Sequence, residues 1–179
     1  MHNNVVIALH KYFASKGFIT ACINFRGCGR SKGRTSWTGV PERGDYEGVI
    51  QYIKTSGPRK LSHLLISGYS FGSMIAASMP HDNLIPCSYL LISYPLSVQW
   101  ALATVRSSFF TEQANQLLLT ATSDCKVLLL YGDHDQFTGV RSYQNWIKNA
   151  GKHVESVMIP GADHFWFEFE NALVEKVDG

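Results

Sequence analysis

Three residue types that cooperate in nucleophilic catalysis follow one another along the chain. Ser70 is the centre of residues 68–72, which read G-x-S-x-G, and Asp135 and His164 lie in two later segments. A serine hydroxyl is a poor nucleophile at neutral pH unless a base removes its proton, and histidine, with a pKa near neutrality, suits that task. A carboxylate can hold the imidazole in the required tautomer and stabilise its cation. The set therefore indicates acyl transfer through the serine, with His164 as the base.

The neighbours of Ser70 indicate a tight turn between a strand and a helix. The mostly apolar run 61–67 precedes the turn, and the run 73–79 follows it and reads as a helix. Glycines on both sides of the serine leave room for a strained backbone, which is the pattern of a nucleophile elbow. The turn would also place the backbone N–H of Phe71 at the start of the helix, where it can stabilise a negatively charged oxygen. The alternative is that Ser70 is an ordinary helix N-cap.

Two aspartates compete to be the partner of His164. Asp133 and Asp135 both follow a run that is predicted as a strand at 126–131. His164 follows another predicted strand at 153–159. Functional residues of open α/β sheets lie at the carboxyl ends of the strands, so both segments are expected at the edge that holds the serine. Asp135 is favoured because it lies further beyond its strand, whereas Asp133 is expected to accept backbone hydrogen bonds locally in the turn. A loop histidine without a catalytic role is the alternative for His164.

Strand and helix patterns alternate along the whole chain. Strands are predicted at 18–25, 61–67, 87–94, 126–131 and 153–159, and helices at 3–16, 45–56, 73–79, 140–150 and 165–177. This alternation predicts an α/β fold, a three-layer sandwich with a mainly parallel sheet of about five strands. A chain of 179 residues is long enough for one domain with a real core, which we predict over 1–179.

The segment 97–122 has no strand character and is the candidate for a lid. Its Trp100, Phe109, Phe110 and residues 117–119 could line a pocket for an acyl group. The alternative is that a helix packs the same residues into the core.

Composition argues against several classes of function. The net charge of +2 is small and not clustered, so neither nucleic acid nor a membrane surface is an expected partner. The longest apolar stretch, 89–96, is too short to span a bilayer. The first residues lack the basic and apolar regions of a signal peptide, which indicates a cytoplasmic protein.

No metal or other cofactor is expected. The four cysteines lack C-x-x-C spacing and are predicted to be free thiols. Gly27, Gly29 and Gly33 follow the spacing G-x-G-x-x-x-G, which is not the fingerprint of a dinucleotide site. The expected partner is a small-molecule substrate, with an acyl compound as the candidate class, and the oligomeric state stays open.

Four segments resemble the α/β-hydrolase superfamily. They are residues 24–33, 68–72, 131–135 and 161–164. The first reads N-F-R-G-C-G-R-S-K-G and is most similar to the small cytosolic serine hydrolases, which carry an N-F-R-G-x-G-x-S-x-G loop. The resemblance implies that Ser70 is the nucleophile, Asp135 the acid and His164 the base. It also implies that the N–H of Phe71 is one donor of the oxyanion hole.

The chain departs from the family pattern at its start. A His-Pro- or His-Gly-containing loop precedes the first long helix of the family and supplies a second oxyanion donor, whereas this sequence begins almost at that helix. The sheet of the family has the strand order 1-2-4-3-5-6-7-8, and the five predicted strands match the last five strands of the family. In that order another strand lies between the two strands that match 18–25 and 61–67. We therefore expect an amino-terminally truncated hydrolase fold with weak activity and low stability. The alternative is a catalytically impaired or non-enzymatic hydrolase-fold protein, such as a truncated isoform.

Overall fold

Four parallel strands form the centre of the molecule. The computed structural model describes residues 3–57, 60–82, 84–98, 101, 103 and 106–178. The strands are β1 (Leu64–Tyr69), β2 (Cys87–Ile92), β3 (Cys125–Gly132) and β4 (Val154–Ile159), and they pair in the order β1-β2-β3-β4. Every pairing is parallel. Sheets of this kind are covered on both faces, which is why β2 and β3 read as nearly continuous apolar runs.

Helices cover the two faces of the sheet and make this an α/β three-layer sandwich. The helices are α1 (Asn4–Ser15), α2 (Val40–Ser56), α3 (Phe71–Ala77), α4 (Ser107–Thr120), α5 (Val140–Ile147) and α6 (Glu170–Asp178). Alternate residues of β2 point to opposite faces of the sheet. Tyr89 and Leu91 belong to the core under α3 and α4. Leu90 and Ile92 belong to the core under α1 and α6. No helix in the described part of the chain is both long and apolar enough to cross a membrane.

The predicted strand at 18–25 is wrong, and the sheet formed by the described residues has four strands rather than about five. The β-branched and aromatic residues of this segment favoured a strand, but a strand forms only when its backbone pairs with a neighbour. The family resemblance implied another strand between 18–25 and β1, and the described residues place none there. Without that ladder partner the segment is irregular, and Phe18 and Ile19 are about half-exposed.

A tyrosine of α2 covers part of the outer edge of β1. The Tyr46 hydroxyl accepts a hydrogen bond from the N–H of Ser67 at 3.1 Å and donates one to the carbonyl of Ser67 at 2.8 Å. Burial raises the pKa of Tyr46 to about 12, so the hydroxyl keeps its proton at neutral pH. Edge strands carry backbone groups that lack a ladder partner, and leaving such groups buried and unpaired costs free energy. Tyr46 therefore stabilises this edge of the sheet.

The last helix begins later than predicted. The pattern placed its start at 165, whereas α6 begins at Glu170. Trp166 and Glu168 have φ values of +59° and +70°, which no right-handed helix can contain. The intervening turns leave Trp166 fully buried and Phe165 exposed.

The segment 97–122 contains α4, and its inner face belongs to the core. Phe110, Leu117 and Leu118 are buried among the residues between α3 and the sheet. Phe109 is partly buried against the same cluster, and Trp100 lies outside the described residues. These contacts correspond to the core-packing alternative for these side chains, and a lid function of the segment stays a prediction.

Candidate active site

The backbone at Ser70 forms a sharp turn between β1 and α3. Ser70 has φ +53° and ψ −122°, a conformation that side chains rarely adopt. Its N–H donates to the carbonyl of Ile92 at 2.9 Å, which holds the turn against the end of β2. A Cβ added to Gly68 would lie 2.1 Å from the carbonyl oxygen of Gly72, so only glycine fits there. The sequence therefore forms the strained elbow that its glycines predicted.

The hydroxyl of Ser70 faces His164. Its Oγ lies 2.8 Å from Nε2 of His164, within hydrogen-bond distance. Ser70 occupies the N-cap position of α3, but its side chain makes no capping hydrogen bond there. The contact with the imidazole, and not helix capping, therefore accounts for the orientation of this side chain.

The other imidazole nitrogen faces Asp135. Nδ1 of His164 lies 2.8 Å from Oδ2 of Asp135, and both side chains are buried. The second oxygen, Oδ1, accepts hydrogen bonds from the N–H groups of Phe137 at 2.8 Å and Thr138 at 3.0 Å. Burial by itself would raise the pKa of the Asp135 carboxyl, but the hydrogen bonds from His164 and the two amides outweigh burial and hold the pKa below its ordinary value. Asp135 is therefore a carboxylate at neutral pH.

Asp133 has a different task from the one predicted. Its Oδ1 accepts a hydrogen bond from the N–H of Gly161 at 2.6 Å, so it joins the segment after β3 to the segment after β4. The N–H of His134 donates to the carbonyl of Ala162 at 3.0 Å and supports the same junction. A Cβ on Gly132 would lie 1.9 Å from that carbonyl oxygen, which shows how closely the two segments approach. Asp133 connects two segments, whereas the sequence predicted hydrogen bonds local to its turn.

Phe71 is the first residue of α3 and lies directly beside the nucleophile candidate. The N–H of a first helical residue has no partner within its helix, so it is available to an incoming anion. The Phe71 ring packs against Phe25, with ring centroids 5.6 Å apart. Its part in an oxyanion hole stays a prediction.

Two residues that the sequence did not single out hold the backbone of His164. The hydroxyl of Tyr69 donates to the carbonyl of His164 at 2.7 Å, and the N–H of His164 donates to Oε1 of Gln136 at 3.1 Å. Burial, followed by the charges of Asp135 and Asp163, raises the pKa of Tyr69 to about 12, so its hydroxyl stays a donor. Only their adjacency to the motifs could have indicated these residues, because Tyr69 is a variable position of G-x-S-x-G.

The described residues contain no group of three or more His, Cys, Asp or Glu side chains that could hold a metal ion. All four cysteines are free, with Cys87 and Cys125 buried. The side chains at this site that can carry chemistry include the hydrogen-bonded row Ser70–His164–Asp135.

Comparison with known proteins finds a relative without a known activity. No family model matches the chain. An uncharacterised protein of Rickettsia prowazekii is 28% identical over 171 residues, a match that includes 93% of this chain. The chain spans 66% of the length of that relative.

Solved structures share the fold. An α/β serine hydrolase homologue from Coxiella burnetii superposes with a TM-score of 0.78 at 26% identity, over 99% of this chain and 76% of that one. An esterase of Pyrococcus furiosus superposes with a TM-score of 0.74 at 16% identity, over 97% of this chain and 73% of that one.

The parallel sheet, the elbow after β1 and these likenesses define an α/β-hydrolase fold. The chain therefore has the fold of the α/β serine hydrolases. Its closer likeness to the members with an N-F-R-G-x-G-x-S-x-G loop stays a prediction from sequence.

Proposed function

We propose that the protein is a serine hydrolase that cleaves an ester, thioester or amide of a small molecule through an acyl-enzyme. The observation that carries the proposal is the row of two 2.8 Å contacts that links Ser70 Oγ to His164 and His164 to Asp135. Separate sequence segments converge there, and the serine is held in a strained elbow. This is the geometry in which a base can activate a hydroxyl nucleophile.

In the acylation step, Oγ of Ser70 attacks the carbonyl carbon of the substrate while Nε2 of His164 takes the hydroxyl proton. Asp135 keeps the proton of the imidazole on Nδ1 and stabilises the imidazolium that forms. The N–H of Phe71 donates to the oxyanion of the tetrahedral intermediate. His164 then gives its proton to the leaving oxygen, sulfur or nitrogen, and the acyl group remains on Ser70.

In the deacylation step, water takes the place of the leaving group. His164 removes a proton from the water as its oxygen attacks the acyl carbon, and then returns a proton to Oγ as the bond to Ser70 breaks. The products are a carboxylic acid and the free enzyme. No redox partner is needed, because the acyl group passes from its leaving group to water.

Turnover of p-nitrophenyl butyrate tests the proposal. Ser70→Ala should lower kcat by about 10³ or more, because no other group replaces the nucleophile. Ser62→Ala is the matched control, since Ser62 is exposed and lies before β1, and it should keep the wild-type rate. Equal turnover by wild type and Ser70→Ala would reject Ser70 as the nucleophile. No turnover of any ester by the wild type, together with no labelling by a fluorophosphonate, would favour a non-enzymatic hydrolase-fold protein.

A further inference from the structure

Three exposed phenylalanines form a strip that starts at the imidazole of His164. The phenylalanine strip consists of Phe137, Phe165 and Phe167, which are 39%, 44% and 65% exposed. The centroids of the first two rings lie 4.5 Å and 5.8 Å from the imidazole centroid, both edge to face. Phe167 continues the strip, with its ring 6.3 Å from that of Phe165 and nearly parallel to it. Exposed apolar surface beside a reactive group is typical of a ligand-binding surface.

Specific contacts fix the backbone of residues 165 and 166, in the part of the strip that carries Phe165 and Phe167. Oδ1 of Asp163 accepts hydrogen bonds from the N–H groups of Phe165 and Trp166 at 2.9 Å and 3.0 Å. The amide of Asn4 donates to the carbonyl of Phe165 at 2.9 Å. Trp166 has a φ of +59°, is fully buried and donates from its indole N–H to Ser93. Strain that several contacts maintain is a mark of functional segments, and here it lies between the exposed side chains of Phe165 and Phe167.

We propose that the phenylalanine strip binds the alcohol part of an ester substrate, and that the preferred substrates are esters of neutral, apolar alcohols, aromatic ones above all. This inference rests on the proposed function, because it assigns the leaving group of the same reaction. His164 must come within hydrogen-bond distance of the leaving oxygen to protonate it. The substituent on that oxygen then lies beside the imidazole, where the rings of Phe137 and Phe165 offer edges and faces to an aromatic group.

The segment that carries Phe165 and Phe167 selects against anionic leaving groups. Residues 161–173 contain no lysine or arginine, and they carry Asp163, Glu168 and Glu170. A leaving group that is an alcohol or a thiol with a negative charge would be repelled by the carboxylates of this segment. The segment contains no cation that could offset the repulsion. A neutral aromatic alcohol meets no such penalty.

The test compares acetate esters whose alcohols differ in shape but have similar pKa values. Benzyl acetate and methyl acetate are hydrolysed under pH-stat titration, together with 4-sulfobenzyl acetate. We expect kcat/KM for the benzyl ester to exceed that for the methyl ester by about ten-fold. This factor corresponds to the burial of about half of a phenyl ring on the strip. The sulfonated ester should lose most of that advantage. The variants Phe165→Ala and Phe167→Ala should each bring the benzyl-to-methyl ratio towards one.

The control variant is Phe18→Ala. Phe18 is 55% exposed on the segment 18–25, outside the phenylalanine strip, so its loss should leave the benzyl-to-methyl ratio unchanged. A ratio near one in the wild type, or a high ratio that survives both strip variants, would overturn the inference. Equal losses for both esters in the strip variants would also overturn it, because the rings would then support His164 and not the alcohol.

Labelling of the wild-type protein with a fluorophosphonate separates this inference from the proposed function. The fluoride leaving group of that probe is too small to reach the strip. Labelling without a benzyl preference would reject the leaving-group site alone. No labelling together with no turnover of any ester would reject the proposed function and this inference with it.

Discussion

Replacement of Asp135 by asparagine should disable catalysis while the site keeps its shape. Oδ1 of Asp135 accepts from two backbone amides, so the oxygen of an asparagine must stay on that side. The NH₂ group of Asn then faces Nδ1 of His164, in the position of Oδ2, which accepts at 2.8 Å in the native protein. A donor there forces Nδ1 to act as an acceptor, and the imidazole proton moves to Nε2. A protonated Nε2 cannot take the proton of Ser70.

The expected loss is large and concentrated in kcat. The same change in another serine triad lowers kcat by about 10⁴, and we expect about 10³–10⁴ for Asp135→Asn. That factor corresponds to about 4–5.5 kcal/mol of activation free energy. The assay is steady-state hydrolysis of p-nitrophenyl butyrate, with circular dichroism as the check that the fold persists.

Asp133→Asn is the matched comparison. Its oxygen can still accept from the N–H of Gly161, so its main effect should be on stability, about 0.5–1.5 kcal/mol in the free energy of unfolding. Its kcat should stay within about three-fold of the wild type on the same ground. If Asp133→Asn abolished turnover and Asp135→Asn did not, the assignment of the carboxylate would be refuted.

Three further predictions concern the hydrogen bonds of Tyr69, Tyr46 and Asp135. Tyr69→Phe removes the donor to the His164 carbonyl and should lower kcat by about three- to ten-fold with little change in KM, as steady-state kinetics would measure. Tyr46→Phe leaves the N–H and carbonyl of Ser67 without this partner and should lower the free energy of unfolding by about 1–3 kcal/mol in urea titrations. Because the pKa of Asp135 is lowered in the folded state, its stabilising contribution is complete above the ordinary carboxyl pKa of about 4 and is lost as the pH falls through the folded value. The melting temperatures of wild type and Asp135→Asn should therefore differ at pH 7 and converge in acid.

For each of these three predictions, a specific result would contradict it. Tyr52→Phe is the control for Tyr46→Phe, because Tyr52 lies on the same helix with 67% of its surface exposed, and it should change stability by less than about 0.5 kcal/mol. Equal effects of the two changes would show that the hydroxyl of Tyr46 does not stabilise the edge of β1. A Tyr69→Phe enzyme that lost affinity and not rate would contradict the positioning role. A melting-temperature difference that persisted unchanged in acid would contradict the sign of the Asp135 pKa shift.

The arrangement of the site could be predicted from sequence because its signals are local. Glycines around Ser70 specify the elbow, and Asp135 and His164 each follow an apolar run that forms a strand. The parallel order of those strands brings the segments together, as the alternation of strands and helices indicated. The preference for Asp135 over Asp133 agrees with which of them contacts His164.

Other features depend on contacts that no local pattern encodes. The segment 18–25 has the composition of a strand, but pairing with a neighbour decides whether a strand forms. The hydrogen bonds of Tyr69 and Gln136 to His164 join residues far apart in the chain, and neither residue type indicates such a role. The late start of α6 accompanies the positive φ values of Trp166 and Glu168, and the burial of the Trp166 indole depends on residues far away in the chain.

The most direct test of the central claim is the site of fluorophosphonate attachment. The protein is incubated with an alkyl fluorophosphonate, its intact mass is measured and the modified peptide is mapped. We predict a single adduct on Oγ of Ser70, formed in the wild type and in Ser62→Ala and lost in Ser70→Ala. An adduct at another residue, or equal labelling of Ser70→Ala, would contradict the assignment of Ser70 as the nucleophile.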